Sequence, residues 1–281
     1  MKAKITYLSI LGLSAFLLPV FGQVSVEYDF NDENDLGWNG VTNDSNELYY
    51  TADGGLNDSG AVFRNDSDGR NAFMVTTDSF DGSLGTLTMS LFFQAGDPGR
   101  NENAENRASQ MGFRTDQVSG NSDIGAEIHR LDESPNSVFV SMFPQNGSEV
   151  NLRVGTMDNT GSFSSNVAVT LGDWYYWTST FTLDGQNSWD ITSEIFDATD
   201  TGTVGNSLLS TEATGLAGPD KDDFETVFGS IGIGENDPGN RDSIRIVDDV
   251  EIQAIPEPST YAAILGLGAL GMLLLRRKLR K

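Results

Sequence analysis

The sequence predicts an all-β chain of short antiparallel strands, arranged as a sandwich or barrel. Three observations carry this. Turn-forming residues are plentiful: there are 31 Gly and many Asn, Asp, Ser and Thr, but only 8 Pro, so frequent turns separate short elements. No stretch long enough for a globular helix keeps a clean 3.6-residue apolar period. Alternation of apolar and polar residues recurs instead, with turn signals roughly every 8–12 residues.

The elements follow in chain order. Lys2 and Lys4 precede an apolar run from Ile5 to Phe21, whose Leu8–Leu18 segment has the length of a signal-peptide core. Val20-Phe21-Gly22 supplies tolerated residues for cleavage after Gly22, so residues 1–22 read as a secretory signal peptide. A first strand is expected at Val26–Asn31, with Gly37-Trp38 behind it. Leu87, Met89, Leu91 and Phe93 share one face of a strand. Ile124, Ala126 and Ile128 alternate with Gly125, Glu127 and His129, and Val138, Val140 and Met142 alternate with Phe139, Ser141 and Phe143. Glu149–Met157 reads as another strand. Trp174–Leu183 and Trp189–Phe196, joined by Asp184-Gly185-Gln186-Asn187, read as a hairpin. Phe228–Gly234 and Ile244–Ile252 close the series, with a loop at Asp237–Asn240. Gly96–Ala108 and Thr199–Asp223 are polar and read as long loops. Nothing inside residues 23–254 resembles a linker or a repeat, so one domain is expected there.

Charge and residue counts exclude several functions. Lys and Arg number 17 against 41 Asp and Glu, a net charge of −24. Seven of the cations and only one of the acids lie outside residues 23–256, so the body carries about −30. Nucleic acid is therefore not a partner, because phosphates require a cationic footprint. With no Cys and one His, disulfides, thiolate chemistry and multi-histidine metal sites are absent. Divalent cations are natural companions of so acidic a surface.

The C-terminus has three parts. Ile255-Pro256-Glu257-Pro258-Ser259-Thr260 precedes an uncharged apolar run, Tyr261–Leu275, followed by Arg276, Arg277, Lys278, Arg280 and Lys281. As a helix, residues 261–275 span about 22 Å, close to a membrane core of ~30 Å once Pro258–Thr260 are added. The basic cluster would stay on the cytoplasmic side. Residues 255–281 resemble the PEP-CTERM sorting signal of exported bacterial proteins, with Pro256-Glu257-Pro258 as the motif. Tails of this type are also described as an ice-binding protein C-terminal domain, words that concern the tail alone. The resemblance implies an inner-membrane stage, processing by an exosortase-type membrane protease, and a destination at the cell surface or in an exopolysaccharide matrix.

The body resembles the concanavalin A-like, laminin-G-like jelly roll. The likeness rests on Val26-Glu27-Tyr28-Asp29-Phe30-Asn31, on Gly172-Asp173-Trp174-Tyr175-Tyr176-Trp177, and on Ile231-Gly232-Ile233-Gly234 with Ile246-Val247-Asp248-Asp249-Val250-Glu251-Ile252. It implies two antiparallel sheets with the first and last strands side by side. It also implies one structural Ca²⁺ near Glu27, Asp29, Asp248 and Asp249, although side chains alone would not supply the six to eight oxygens the ion takes. A second acidic turn, Asn65-Asp66-Ser67-Asp68-Gly69, lacks the length and terminal Glu of an EF-hand.

Two ligand chemistries remain. Sugars stack on aromatic faces beside amides and carboxylates, which makes Trp174, Tyr175, Tyr176 and Trp177 candidates. Alternation sends one pair to each face of the strand, so one pair belongs to the core. Glycan cleavage needs two carboxylates facing each other across a bond. No Glu-x-Asp-x-Glu array occurs, Glu127 with Asp132 and Glu133 is irregular, and His129 has no nucleophile elbow to serve. The expectation is a non-catalytic exported protein that binds polysaccharide, with a glycan-cleaving enzyme as the alternative. An exposed aromatic platform would favour binding, and a deep groove with two facing carboxylates would favour hydrolysis.

Overall fold

The computed structural model describes residues 24–30, 38–42, 48–51, 54–56, 60–63, 72–96, 109–116, 131, 134, 136–144, 149–156, 159–233, 244–256 and 276. Within them lie β1 (Val24–Tyr28), β2 (Trp38–Thr42), β3 (Leu48–Thr51), β4 (Gly60–Phe63), β5 (Ala72–Thr76), β6 (Gly85–Ala95), β7 (Ser109–Arg114) and β8 (Ser137–Pro144). The second half contributes β9 (Glu149–Thr156), β10 (Asn159–Phe163), β11 (Val167–Ala168), β12 (Trp174–Asp184), β13 (Ser188–Ala198), β14 (Val204–Ala217), β15 (Phe228–Ile233) and β16 (Ile244–Pro256). Sheet A runs β14-β13-β12-β6-β16-β4-β3, with β1 also on β16, and sheet B runs β10-β9-β8-β7-β15-β5-β2, with β11 on β9. Every pairing is antiparallel, and the chain repeatedly crosses between the sheets, as in a jelly-roll sandwich. The first and last strands lie side by side, Val24 opposite Ala254 and Tyr28 opposite Val250.

Alternation explains the core. Leu87, Met89, Leu91 and Phe93 of β6 face inward, in register with Phe181, Ser179, Trp177 and Tyr175 of β12. Sheet B meets them with Met111, Phe113, Val138, Val140, Met142, Leu152 and Val154, all fully buried in one contiguous cluster. Each such side chain contributes about 1.5–3 kcal/mol on leaving water. The cluster replaces the cross-links that a chain without cysteine cannot form.

The expected hairpin forms, with Asp184 opposite Ser188 and Gly185 at φ 89° in the turn between them. Thr199–Asp223 is not a loop, however, because β14 fills Val204–Ala217. Two features hide it in the sequence. Apart from exposed Val204 and Leu208, its outward side chains are small or polar, as suits a sheet edge. Its pairing with β13 also slips at three places, which breaks the period. At one of these, Gly215 takes φ 67° and donates its N–H to Asp190 Oδ1 at 2.8 Å, the bulge geometry that favours glycine.

The outer face of sheet B is buried as well. Gln110, Arg114, Ser137, Phe139, Ser141 and Ser230 are at most 1% exposed. Leu131 and Ser134 pack over this face through polar contacts. Gln110 accepts from Leu131 N at 2.8 Å and donates to Ser141 Oγ at 3.2 Å, while Ser137 Oγ donates to the Leu131 carbonyl. Arg114 donates to both Asp116 oxygens, at 2.8 and 2.6 Å, and Ser134 Oγ donates to Asp116 at 3.2 Å. Burial raises the proton affinity of Asp116, but the hydrogen bonds and charge of Arg114 outweigh it and hold the carboxyl below its ordinary range.

Phe73 lies flat against Gly232 on this face, so that a Cβ at 232 would sit 1.9 Å from its ring. Gly232→Ala should therefore cost about 1–3 kcal/mol of stability by overpacking, measured by urea unfolding at constant m-value.

Candidate functional site

The outer face of sheet B is covered along β7, β8 and β15, and sheet A offers a second outer face. Strand register arranges its outward residues in rows. Thr86, Thr182 and Asp190 form one row; Thr88, Thr180, Thr192 and Glu212 the next; Ser90, Thr178, Glu194 and Ser210 a third. Beyond them Phe92, Tyr176 and Phe196 lie across three strands. The face is hydroxyl-rich at one end and aromatic at the other.

The aromatic end is closed over. Leu56 packs with Phe92, Trp174 and Ile246 in a small apolar cluster, flanked by half-buried Tyr176 and Ala198. This alters the expectation for Trp174, Tyr175, Tyr176 and Trp177. Trp174, Tyr175 and Trp177 are 7%, 5% and 0% exposed, and only Tyr176 is half-buried. Trp177 Nε1 finds Ser193 Oγ at 2.8 Å inside the sandwich, and the Tyr175 hydroxyl accepts from Thr170 N at 2.8 Å. Trp174, Tyr175 and Trp177 therefore pack the protein, and of the four only Tyr176 keeps part of its surface open.

Asp248 holds the closure. Its Oδ2 accepts from Leu56 N at 2.6 Å and its Oδ1 from Asp249 N at 2.9 Å. Asp249 sits at φ 45° where β16 bulges against β6, a conformation Asp tolerates. Burial is the main influence on Asp248 and raises its pKa to about 7; the Leu56 N–H opposes this, and the charges of Asp249 and Asp29 add to it. Asp249 is raised too, by burial and then by Glu27 and Asp29. The four residues expected near a calcium ion are therefore within electrostatic reach of one another. Among the described residues, though, no three acids converge as a metal cage would require, and both Asp248 oxygens already serve backbone amides. Glu251, one pair along, takes hydrogen bonds from Ser25 and Gln253.

The hydroxyl-rich end carries a groove of about 770 Å³. Thr178 and Thr180 of β12, Thr192, Ser193 and Glu194 of β13, and Ser210, Thr211 and Glu212 of β14 line it, together with Ser164 and Ser165. Glu194 and Glu212 are diagonal neighbours on adjacent strands, because Thr192 faces Glu212 and Glu194 faces Ser210. Such neighbours lie about 7–8 Å apart. No apolar side chain contributes to the lining. Sequence reasoning missed the pair because β14 reads as a loop.

Glu127, His129, Asp132, Glu133 and residues 65–69 lie outside the described residues. So do residues 1–23, Glu257, Pro258, the apolar run 261–275, and Arg277, Lys278, Arg280 and Lys281. Arg276 is exposed. Among the described residues no helix is long and apolar enough to cross a membrane. Pro256, the first residue of the sorting motif, still belongs to β16, opposite Gly85.

Residues 254–278 match the model of the PEP-CTERM protein-sorting motif. The motif marks an exported protein that is anchored transiently in the membrane, processed there, and released to the cell surface. No curated protein matches the chain. Among solved structures, a protein of unknown function from Shewanella oneidensis MR-1 is 14% identical, covering 91% of this chain and 97% of its own, with TM-score 0.45. Winged bean acidic lectin complexed with methyl-α-D-galactose is 10% identical over 84% and 99%, with TM-score 0.47. A PL-14 alginate lyase from the marine Aplysia kurodai is 9% identical over 75% and 87%, with TM-score 0.43. Strand order, rather than these likenesses, establishes the sandwich.

The Asp248 carboxyl yields a sign-specific expectation. Its folded pKa of about 7 lies above the ordinary value of 3.8, so the native state binds the extra proton between these values. Its contribution is therefore most favourable at low pH and falls as pH rises toward 7. Melting temperatures of Asp248→Asn across that range should decline less steeply with pH than those of the parent chain.

Proposed function

We propose that the exported chain is a non-catalytic cell-surface or matrix protein that binds polysaccharide in the groove across β12, β13 and β14. The observation that supports this is the lining itself. Hydroxyls spaced by strand register, with two carboxylates among them, offer alternating donors and acceptors to a polyhydroxylated chain. Exopolysaccharide at the surface to which the sorting motif delivers the protein is the natural source of such a ligand.

The proposal includes one structural Ca²⁺, for which Glu27, Asp29 and Asp249 would have to turn together beside Asp248. Unrelieved repulsion among these acids supports it. The ion would fix the strand pair β1–β16 and take no part in binding the glycan.

One observation favours a second reading, glycan cleavage. Glu194 and Glu212 stand on adjacent strands of one groove, as a pair of carboxylates flanking a glycosidic bond would. What weighs against it is the absence of an apolar wall, the feature that sets a catalytic acid apart from its partner base in such sites.

Glycan-array binding of the full chain in a non-glycosidic detergent, with Ca²⁺ and with EDTA, tests the reading. Selective binding without release of new reducing ends is expected, and Thr180→Val with Thr192→Val should weaken it roughly tenfold, about 1.4 kcal/mol. Loss of binding in EDTA would bring the ion into the site itself. New reducing ends that disappear in Glu194→Gln would transfer the groove to the enzymatic reading.

A further inference from the structure

The groove carries a charge that its surroundings leave uncompensated. Glu194 and Glu212 project from neighbouring strands into a lining otherwise made of serine and threonine. β6, β12, β13 and β14 contain no Lys, Arg or His anywhere along their length. The third acid of these outward rows, Asp190 on β13, is engaged by the Gly215 N–H. Among the described residues, Arg114 is paired on sheet B, Arg153 lies near Phe143 on the same sheet, Lys221 is exposed beyond β14, Arg245 stands on β16 at the Gln94–Ala95 end of β6, and Arg276 lies beyond the sandwich strands.

We infer that the polysaccharide bound in this groove bears free amines: a cationic amino-sugar polymer rather than a neutral or uronic one. The inference rests on the groove being a glycan site and specifies its ligand class. The chemistry is direct. A sugar ammonium has three donors and no acceptor, and a carboxylate is acceptor-only, so each Glu–ammonium contact is a charge-assisted hydrogen bond without a competing donor. The surrounding hydroxyls then take the ring hydroxyls. A uronic-acid polymer would place its carboxylates against Glu194 and Glu212 with no cation on these strands to mediate. N-acetylation would remove the charge and add bulk where the carboxylates lie. The body's charge of about −30 steers a cationic polymer inward but does not select this groove; the two glutamates do.

Two hexamers with the same backbone separate these contributions: glucosamine hexamer, with all amines free, and N-acetylglucosamine hexamer. Isothermal titration with the full chain, at mildly acidic pH where the amines are charged, should show the free-amine hexamer binding about tenfold more tightly or better. Glu194→Gln with Glu212→Gln should abolish that difference. Asp222→Asn with Asp223→Asn, an exposed acidic pair on the turn after β14, should leave the difference intact. Equal or tighter binding of the N-acetylated hexamer overturns the amine inference while leaving the glycan groove standing. Binding of neither hexamer, nor of neutral glucan or alginate oligomers, removes both. Loss of the preference in the Asp222 and Asp223 variant shows attraction to the general surface, and equal binding of hexalysine shows a basic peptide site. Either result overturns the inference.

Discussion

Arg114 lies fully buried on the outer face of sheet B, and it is tolerable there because Asp116 meets its guanidinium at two points. A buried charge stripped of its partner costs roughly 3–5 kcal/mol. The pair, with Ser134 on Asp116 and Leu131 on Gln110, therefore holds the covering over that sheet. Sheet A's outer face is closed only at its aromatic end, by Leu56 on the Asp248 carboxylate. The groove occupies what remains.

β16 ties these features together. It pairs with β6 along one side and with β4 and β1 along the other. One end bears the bulge with Asp248 and Asp249, and the other runs into the sorting motif at Pro256. Val24, where the described chain begins, lies beside Ala254 at the tail end. Val24 and Pro256 thus lie toward the same end of the sandwich, and the Asp248 closure sits toward the opposite one.

Much of this was legible in the residues, for identifiable reasons. β6, β12 and β13 keep strict alternation because one of their faces meets the core with large apolar side chains, and their hairpin announces itself through Asp184-Gly185-Gln186-Asn187. The sorting motif is a local pattern and needs no tertiary context. β14 was not legible, because an edge strand buries few residues and its bulges disrupt the period. The groove vanished with it, since Glu212 had no strand on which to face Thr192. Ser137, Phe139, Ser141 and Phe143 share the outer face of β8 and are buried under a covering that the alternation cannot announce. The aromatic run Trp174–Trp177 misled in the opposite sense, because a Trp or Tyr whose N–H or O–H is satisfied inside the sandwich looks in sequence like one waiting for a sugar.

Hydrogen exchange across the full chain, with and without saturating polysaccharide, tests most directly whether the outer face of sheet A is the contact surface. The account predicts slowed exchange confined to residues 174–217, the span of β12, β13 and β14, with residues 109–144 unchanged. Protection centred on residues 109–144, or at Leu56 and Asp248 with none in β14, would contradict it.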